Sequence, residues 1–156
     1  MTRTLNPMFT AIGVCSLLSS LDKMGITPTL IARQASKVIG PVLADFGKMT
    51  LGPGKEMRAT NLDEFVAGLR IAAQVGGLAD PQAVEASQSN QEITIKWSDC
   101  GLKDMVYAGK LFGYSSCPLC LPGVIIVGLL DVFHMAEIRE MKVEKSGNTC
   151  LIHVSS

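Results

Sequence analysis

Met141-Lys142-Val143-Glu144-Lys145-Ser146-Gly147-Asn148-Thr149-Cys150-Leu151-Ile152-His153-Val154 is the stretch whose reading decides the fold class. Met141 and Val143 alternate with Glu140, Lys142 and Glu144, and Cys150, Ile152 and Val154 alternate with Thr149, Leu151 and His153. A period of two sends each apolar set to one side of a strand. Ser146-Gly147-Asn148 turns the chain between them, so the tail is a hairpin. Upstream, Glu92-Ile93-Thr94-Ile95-Lys96-Trp97 alternates in the same way and is the first clear strand. Ala79 to Gln91 is small and polar and reads as a surface connection.

The residues before that strand follow a helical period. Val14, Leu17, Leu18 and Leu21 mark one face of a helix that ends near Met24-Gly25, where glycine supplies the left-handed cap. Thr27 and Pro28 open the next helix, with a stripe of Ile31, Ala35, Val38, Ile39, Val42, Leu43 and Phe46. Pro41 removes a donor and clashes one turn back, which predicts a kink or two helices meeting at Gly40-Pro41. Leu51 to Lys55 is a turn. Asn61 with Glu64 has the form of a capping box before Phe65, Val66, Leu69 and Ala73, in a helix ending at Gly76-Gly77. Further on, Asp104 to Phe112 is helical, Tyr114 to Pro118 is a loop, and Pro122 to His134 is a markedly apolar helix. Helices first and an antiparallel sheet later define an α+β fold: N-terminal helices packed on a C-terminal antiparallel sheet, with one apolar helix crossing it. The expected organisation is one domain over 1–156, with a helical part at about 8–77 and an α+β part at about 92–155.

Composition narrows the function. The 156 residues carry 14 basic and 14 acidic side chains, 47% hydrophobic residues and 5% aromatics. No polybasic stripe offers itself to phosphates and no aromatic platform to bases, so direct nucleic-acid binding is not expected. The longest strongly apolar run, Cys120 to Leu130, is about eleven residues against the roughly 20 that span a bilayer. No membrane span is expected, the N-terminus lacks a convincing secretory signal, and an odd number of cysteines argues for reduced thiols in a cytoplasmic protein.

Cys117-Pro118-Leu119-Cys120 is a CxxC loop, a spacing that brings two sulfurs to the same side of a turn and makes half of a tetrahedral zinc site. Cys100 after the first strand, Cys150 on the last strand and Glu144 across the hairpin turn are candidates to complete it. The plainer alternatives are burial of Cys100 and Cys150 as small apolar residues, or a redox pair in the loop. A thioredoxin-type motif needs a βαβ context that is absent here. Cys15 lies among apolar helix positions and reads as packing. Trp97, Tyr107 and Tyr114 are candidates for lining a ligand pocket, although a lone Trp at a strand end also suits a core. His134 suits a helix C-terminus and His153 an outward strand position. Asp99, Asp104 and Asp131 form no acid–base pair, and Gly52-Pro53-Gly54-Lys55 lacks the spacing of a phosphate loop.

Cys120-Leu-Pro-Gly123-Val-Ile-Ile-Val-Gly128-Leu-Leu, a strand ending Val143-Glu144, and Gly147-Asn-Thr-Cys150-Leu-Ile-His-Val154 together resemble the C-terminal half of the 4-vinyl reductase domain, also called hydrocarbon-binding. The likeness covers about residues 93 to 155. It implies a fold shared with the TRAPP trafficking subunits and the haem-nitric-oxide-binding domains, and a small-molecule-binding role. In the phenol-sensing activators of that family, cysteines and a glutamate hold zinc beside a pocket for an aromatic ligand. Here Cys120, Glu144 and Cys150 match. The interval from Glu144 to Cys150 is too short for the further cysteine of the pattern, which Cys117 or Cys100 could replace. The haem relatives match less well, since Tyr114-Ser115-Ser116 is followed by no arginine. The resulting expectation is a non-catalytic binding module for a small apolar or aromatic molecule, with a thiolate zinc site, pairing as a homodimer. A tetrapyrrole-related reductase or a protein-interaction subunit are the alternatives.

Overall fold

The first helix closes where the pattern marks its end, and opens on an asparagine cap. The structure, a computed structural model, describes residues 6–51, 58–75, 78–90, 92–136, 138–146 and 148–155. Asn6 Oδ1 accepts from the Met8 N–H at 2.9 Å, Pro7 takes the first turn, and α1 runs Pro7–Lys23 before Gly25 turns at φ +84°. The Leu30 N–H donates to Thr27 Oγ1 at 3.3 Å at the start of α2, Pro28–Leu51. At α3, Leu62–Val75, the Glu64 N–H donates to Asn61 Oδ1 at 3.0 Å. The Glu64 carboxylate accepts in return from the Thr60 N–H at 2.8 Å, one residue before the position a standard capping box uses. The glycine turn at 52–55, the helix end at Gly76-Gly77, Gly147 of the hairpin turn and the side chain of Phe46 lie outside the described residues.

The strands are β1 Val84–Ser89, β2 Glu92–Ser98, β3 Glu140–Ser146 and β4 Thr149–Ser155; α4 (Lys103–Leu111) and α5 (Leu121–Val132) lie between β2 and β3. They form one antiparallel sheet in the order β1-β2-β4-β3, with Trp97 opposite Cys150 and Glu144 opposite Leu151. The α+β fold is therefore present. β1 corrects the reading of 79–91 as a connection: a 3-10 turn at Pro81–Ala83 feeds an edge strand that only Val84 and Ala86 tie to the interior. An edge strand with one solvated face needs few apolar residues, which is why its alternation is faint. Asn90 turns the β1–β2 hairpin at φ +53°, a conformation asparagine tolerates.

Ile93, Ile95 and Trp97 of β2 and Ile152 and Val154 of β4 are buried on one side of the sheet. Onto them pack Phe65, Leu69 and Ala73 of α3, and Ile125, Ile126, Leu129 and Leu130 of α5. α5 is apolar nearly all round because it is covered twice, by the sheet and by α2. Where α2 crosses α5, Gly40 meets Gly128: a Cβ on Gly40 would collide with the Gly128 carbonyl, and one on Gly128 would lie 2.6 Å from the Ser36 carbonyl oxygen. This crossing corrects part of the expected stripe of α2, of which Ile39 and Leu43 do pack against the main core. Ser36, Gly40 and Ala44 are buried, whereas Val38 is 67% and Val42 59% exposed. α2 also continues through Pro41 as one helix, with no break at Gly40-Pro41.

α1 packs on α4, where Ala11, Cys15, Met105 and Ala108 form a second, smaller cluster. Leu18 is buried as expected, but Leu17 is 61% exposed: the inner face is Ala11, Cys15 and Leu18. Among the described residues no single helix is long and apolar enough to cross a membrane; α1 and Pro28–Asp45 reach that length only together, at a bend of 115°.

Candidate metal centre

Four of the five cysteines come from three separate places in the chain to one cavity of about 110 Å³. Cys100 follows β2 in a turn that is held at both sides, since the Asp99 N–H donates to the Asn148 carbonyl at 2.9 Å and the Gly101 N–H to the Leu78 carbonyl at 2.8 Å. Asp99 takes a left-handed φ of +49° in that turn. Cys150 faces the helices from β4, between Trp97 on β2 and Lys145 on β3. Cys117 and Cys120 come from the loop between α4 and α5, and Cys120 is the N-cap of α5, its Sγ accepting from the Gly123 N–H at 3.4 Å. A sulfur at that position gains from the positive end of the helix and from an N–H donor, both of which favour a thiolate.

As placed, the sulfurs ring the cavity without closing on a point. Among the described residues no three His, Cys, Asp or Glu side chains converge tightly enough to enclose an ion. Cys117 Sγ instead donates to the Leu119 carbonyl at 3.1 Å. Burial pushes the Cys117 thiol up to about 11 and the Cys120 thiol up to about 12, with the neighbouring sulfurs adding to the rise. Burial also raises Cys150. Without a cation these are neutral thiols at pH 7, and thus weak nucleophiles.

The donor set nonetheless suits a soft or borderline ion. Four sulfurs match a closed tetrahedral zinc site, the cavity exceeds the ~10–15 Å³ that one water centre requires, and rotation about the Cys χ1 bonds is all the movement the side chains have available without moving backbone. Lys103 and Lys145 also line the cavity. The two lysines would offset the net double negative charge of Zn(Cys)₄, while Asp99 in the same lining adds to it. The sequence offered no signal for these lysines beyond the alternation that puts Lys145 on the same side of β3 as Val143.

Glu144 is not brought to the cavity. Its neighbours Val143 and Lys145 line the space, so the two-residue period turns Glu144 to the outer, exposed face of the sheet. That face carries a separate polar group, in which His153 Nδ1 lies 3.0 Å from Glu92 Oε1 and 3.2 Å from Thr94 Oγ1. Nor do the three aromatic candidates line the cavity. Trp97 is fully buried in the main core, Tyr107 is 61% exposed on α4, and the Tyr114 hydroxyl is buried with no hydrogen-bond partner among the described residues.

The CxxC loop has a second side. Cys117, Cys120 and Val143 also line a larger groove of about 560 Å³, whose other wall is the first half of α2 and whose floor includes Val124 and Val127 of α5. The groove opens at the surface. The space between the helices and the sheet is filled by Trp97, Ile126, Leu129 and Ile152. Compared with models of known protein families, with curated proteins and with solved structures, the chain finds no match.

Proposed function

We propose that the chain is a non-catalytic binding module of the 4-vinyl reductase type, in which Cys100, Cys117, Cys120 and Cys150 hold a structural zinc ion and the groove beyond the CxxC loop receives a small apolar molecule. The observation that carries the reading is how the four sulfurs are distributed. Cys100, Cys120 and Cys150 pack against the main core, while Cys117 packs against the α1–α4 cluster. An ion shared by all four would tie the two clusters together across the loop, which is what a closed structural site does. Zinc supplies no reaction step here; it replaces four protons and fixes the loop that forms one wall of the groove. Thiol catalysis by Cys117 and Cys120 is disfavoured because burial holds both thiols protonated at neutral pH. The volume of the groove lies within the ~300–1,000 Å³ range of small-molecule sites.

Elemental analysis of untagged protein purified without added metal tests the site. About one zinc per chain is expected, lost in Cys120→Ser. Metal-free parent protein that neither takes up zinc nor gains thermal stability when zinc is added would overturn the reading. The proposal includes pairing with a second copy through the outward strip of α1 and its C-cap, where Phe9 is 72%, Leu17 61% and the cap residue Met24 74% exposed. Sedimentation equilibrium should then give twice the chain mass, and Phe9→Lys should return it to the chain mass.

A further inference from the structure

We infer that the molecule received by the groove is an organic anion with an apolar body, such as a carboxylate. This rests on the groove being the ligand site of the proposed module and adds the chemistry of the ligand. The floor is apolar: Leu119, Val124, Val127, Ile138 and Met141 line it. The rim is cationic. Arg33 and Lys37 stand one helical turn apart on the same wall, a spacing that puts i and i+4 side by side, and Arg139 lies just before β3 among the same lining residues.

Among the described residues none of these three cations has an ion-pair partner. Two carboxylates also line the groove, Asp131 and Glu140. Glu140 is engaged by Lys142 at 3.5 Å, so among the described lining residues Asp131 is the carboxylate left to offset three cations. A ligand that laid a hydrocarbon body on the floor and a carboxylate between Arg33, Lys37 and Arg139 would satisfy both halves of the site. A neutral hydrocarbon would leave the cations uncompensated, and a bare phosphate would leave the floor wet. Guanidinium groups suit the planar carboxylate because they donate in a fork.

Octanoate and octan-1-ol separate the two contributions, since they share a chain and differ in the charged head. With zinc content measured on the same preparation, each is titrated into the full chain labelled with 13C at the methionine methyls. The Met141 signal reports the groove and that of Met105, in the α1–α4 cluster, serves as the internal control. Octanoate should shift Met141 and bind about tenfold more tightly than octan-1-ol. The double variant Arg33→Gln/Lys37→Gln, both on the exposed face of α2, should lose that preference and keep the octan-1-ol affinity. Equal affinity of the two probes would overturn the anion inference while leaving an apolar groove. A preference that survives in the double variant would overturn the role of Arg33 and Lys37. No shift at Met141 with either probe would overturn the groove as a ligand site, whatever the zinc content.

Discussion

The two hydrophobic clusters are built from different materials. The main core is made of large, branched or aromatic side chains such as Trp97, Phe65, Ile95, Leu129 and Ile152, drawn from the sheet, α3 and α5. The α1–α4 cluster centres on Ala11, Cys15, Ala108 and a single Met105. Each fully buried large side chain contributes about 1.5–3 kcal/mol through removal from water, and Ala or Cys contributes less. The main core can therefore hold itself, whereas α1 and α4 depend on what ties them down. The four-cysteine cavity lies where these regions meet. On the proposed reading, a zinc ion held there would brace the weaker region, and local unfolding of α1 and α4 is the expected first response to its loss.

The largest effect should come from the strong side. Leu129→Ala is expected to cost about 2–5 kcal/mol, because the surrounding residues are fully packed and relax only in part; chemical denaturation would show it as a lowered midpoint. Gly128→Ala should cost about 1–3 kcal/mol or more, since its new methyl meets the α2 backbone at Ser36 rather than a side chain that can turn away. A gain in stability in Gly128→Ala like that of an exposed-helix Gly→Ala control would show that α2 does not approach α5 this closely.

Treating the protein with a chelator, which would strip the proposed zinc, sharpens the comparison most directly. Amide exchange in α1 and α4 should accelerate severalfold or more while β2, β4 and α5 keep their protection. Uniform acceleration would mean the site braces the whole molecule instead. Cys15→Ala, in the weaker cluster, should cost about 1 kcal/mol and likewise loosen α1 without affecting the sheet.

The smallest effect belongs to the outer face of the sheet, which joins neither cluster. Hydrogen bonds from His153 first and Thr94 second hold the Glu92 carboxyl below its usual range. A carboxyl depressed on folding adds stability above its unfolded pKa and loses it as pH falls through the folded value. Glu92→Gln should thus be slightly less stable than the parent at neutral pH, and the difference should vanish on acidification. A difference that persists undiminished well below the carboxylate range would assign the effect to something other than this charge. Exposure of Glu92 keeps the effect small.

The elements that proved legible were those whose pattern answers to a purely local rule. Alternation located β2, β3 and β4, capping residues located α1 and α3, and a continuous apolar run located α5. Legibility failed where a neighbour sets the rule. In α2 the large residues Val38 and Val42 suggested the buried stripe, but a close helix crossing selects small residues, and Ser36, Gly40 and Ala44 are what lie inside. In α1 the same preference for size pointed to Leu17, whereas α4 takes Ala11 and Cys15. β1 was faint because an edge strand needs few apolar contacts.

The candidate site divides in the same way. The chain order alone determined that Cys117 and Cys120 share a loop and that Cys150 lies on a strand facing inward, because turn geometry and strand period are properties of a few successive residues. The same strand period sends Glu144 to the face opposite Val143. Only the tertiary structure decided that Cys100 stands with the other three cysteines, because that depends on the pairing of β2 with β4, contacts made between residues more than fifty positions apart. The groove is likewise beyond the reach of local pattern, since its walls, α2 and β3, are brought together only when α5 is buried between the sheet and α2.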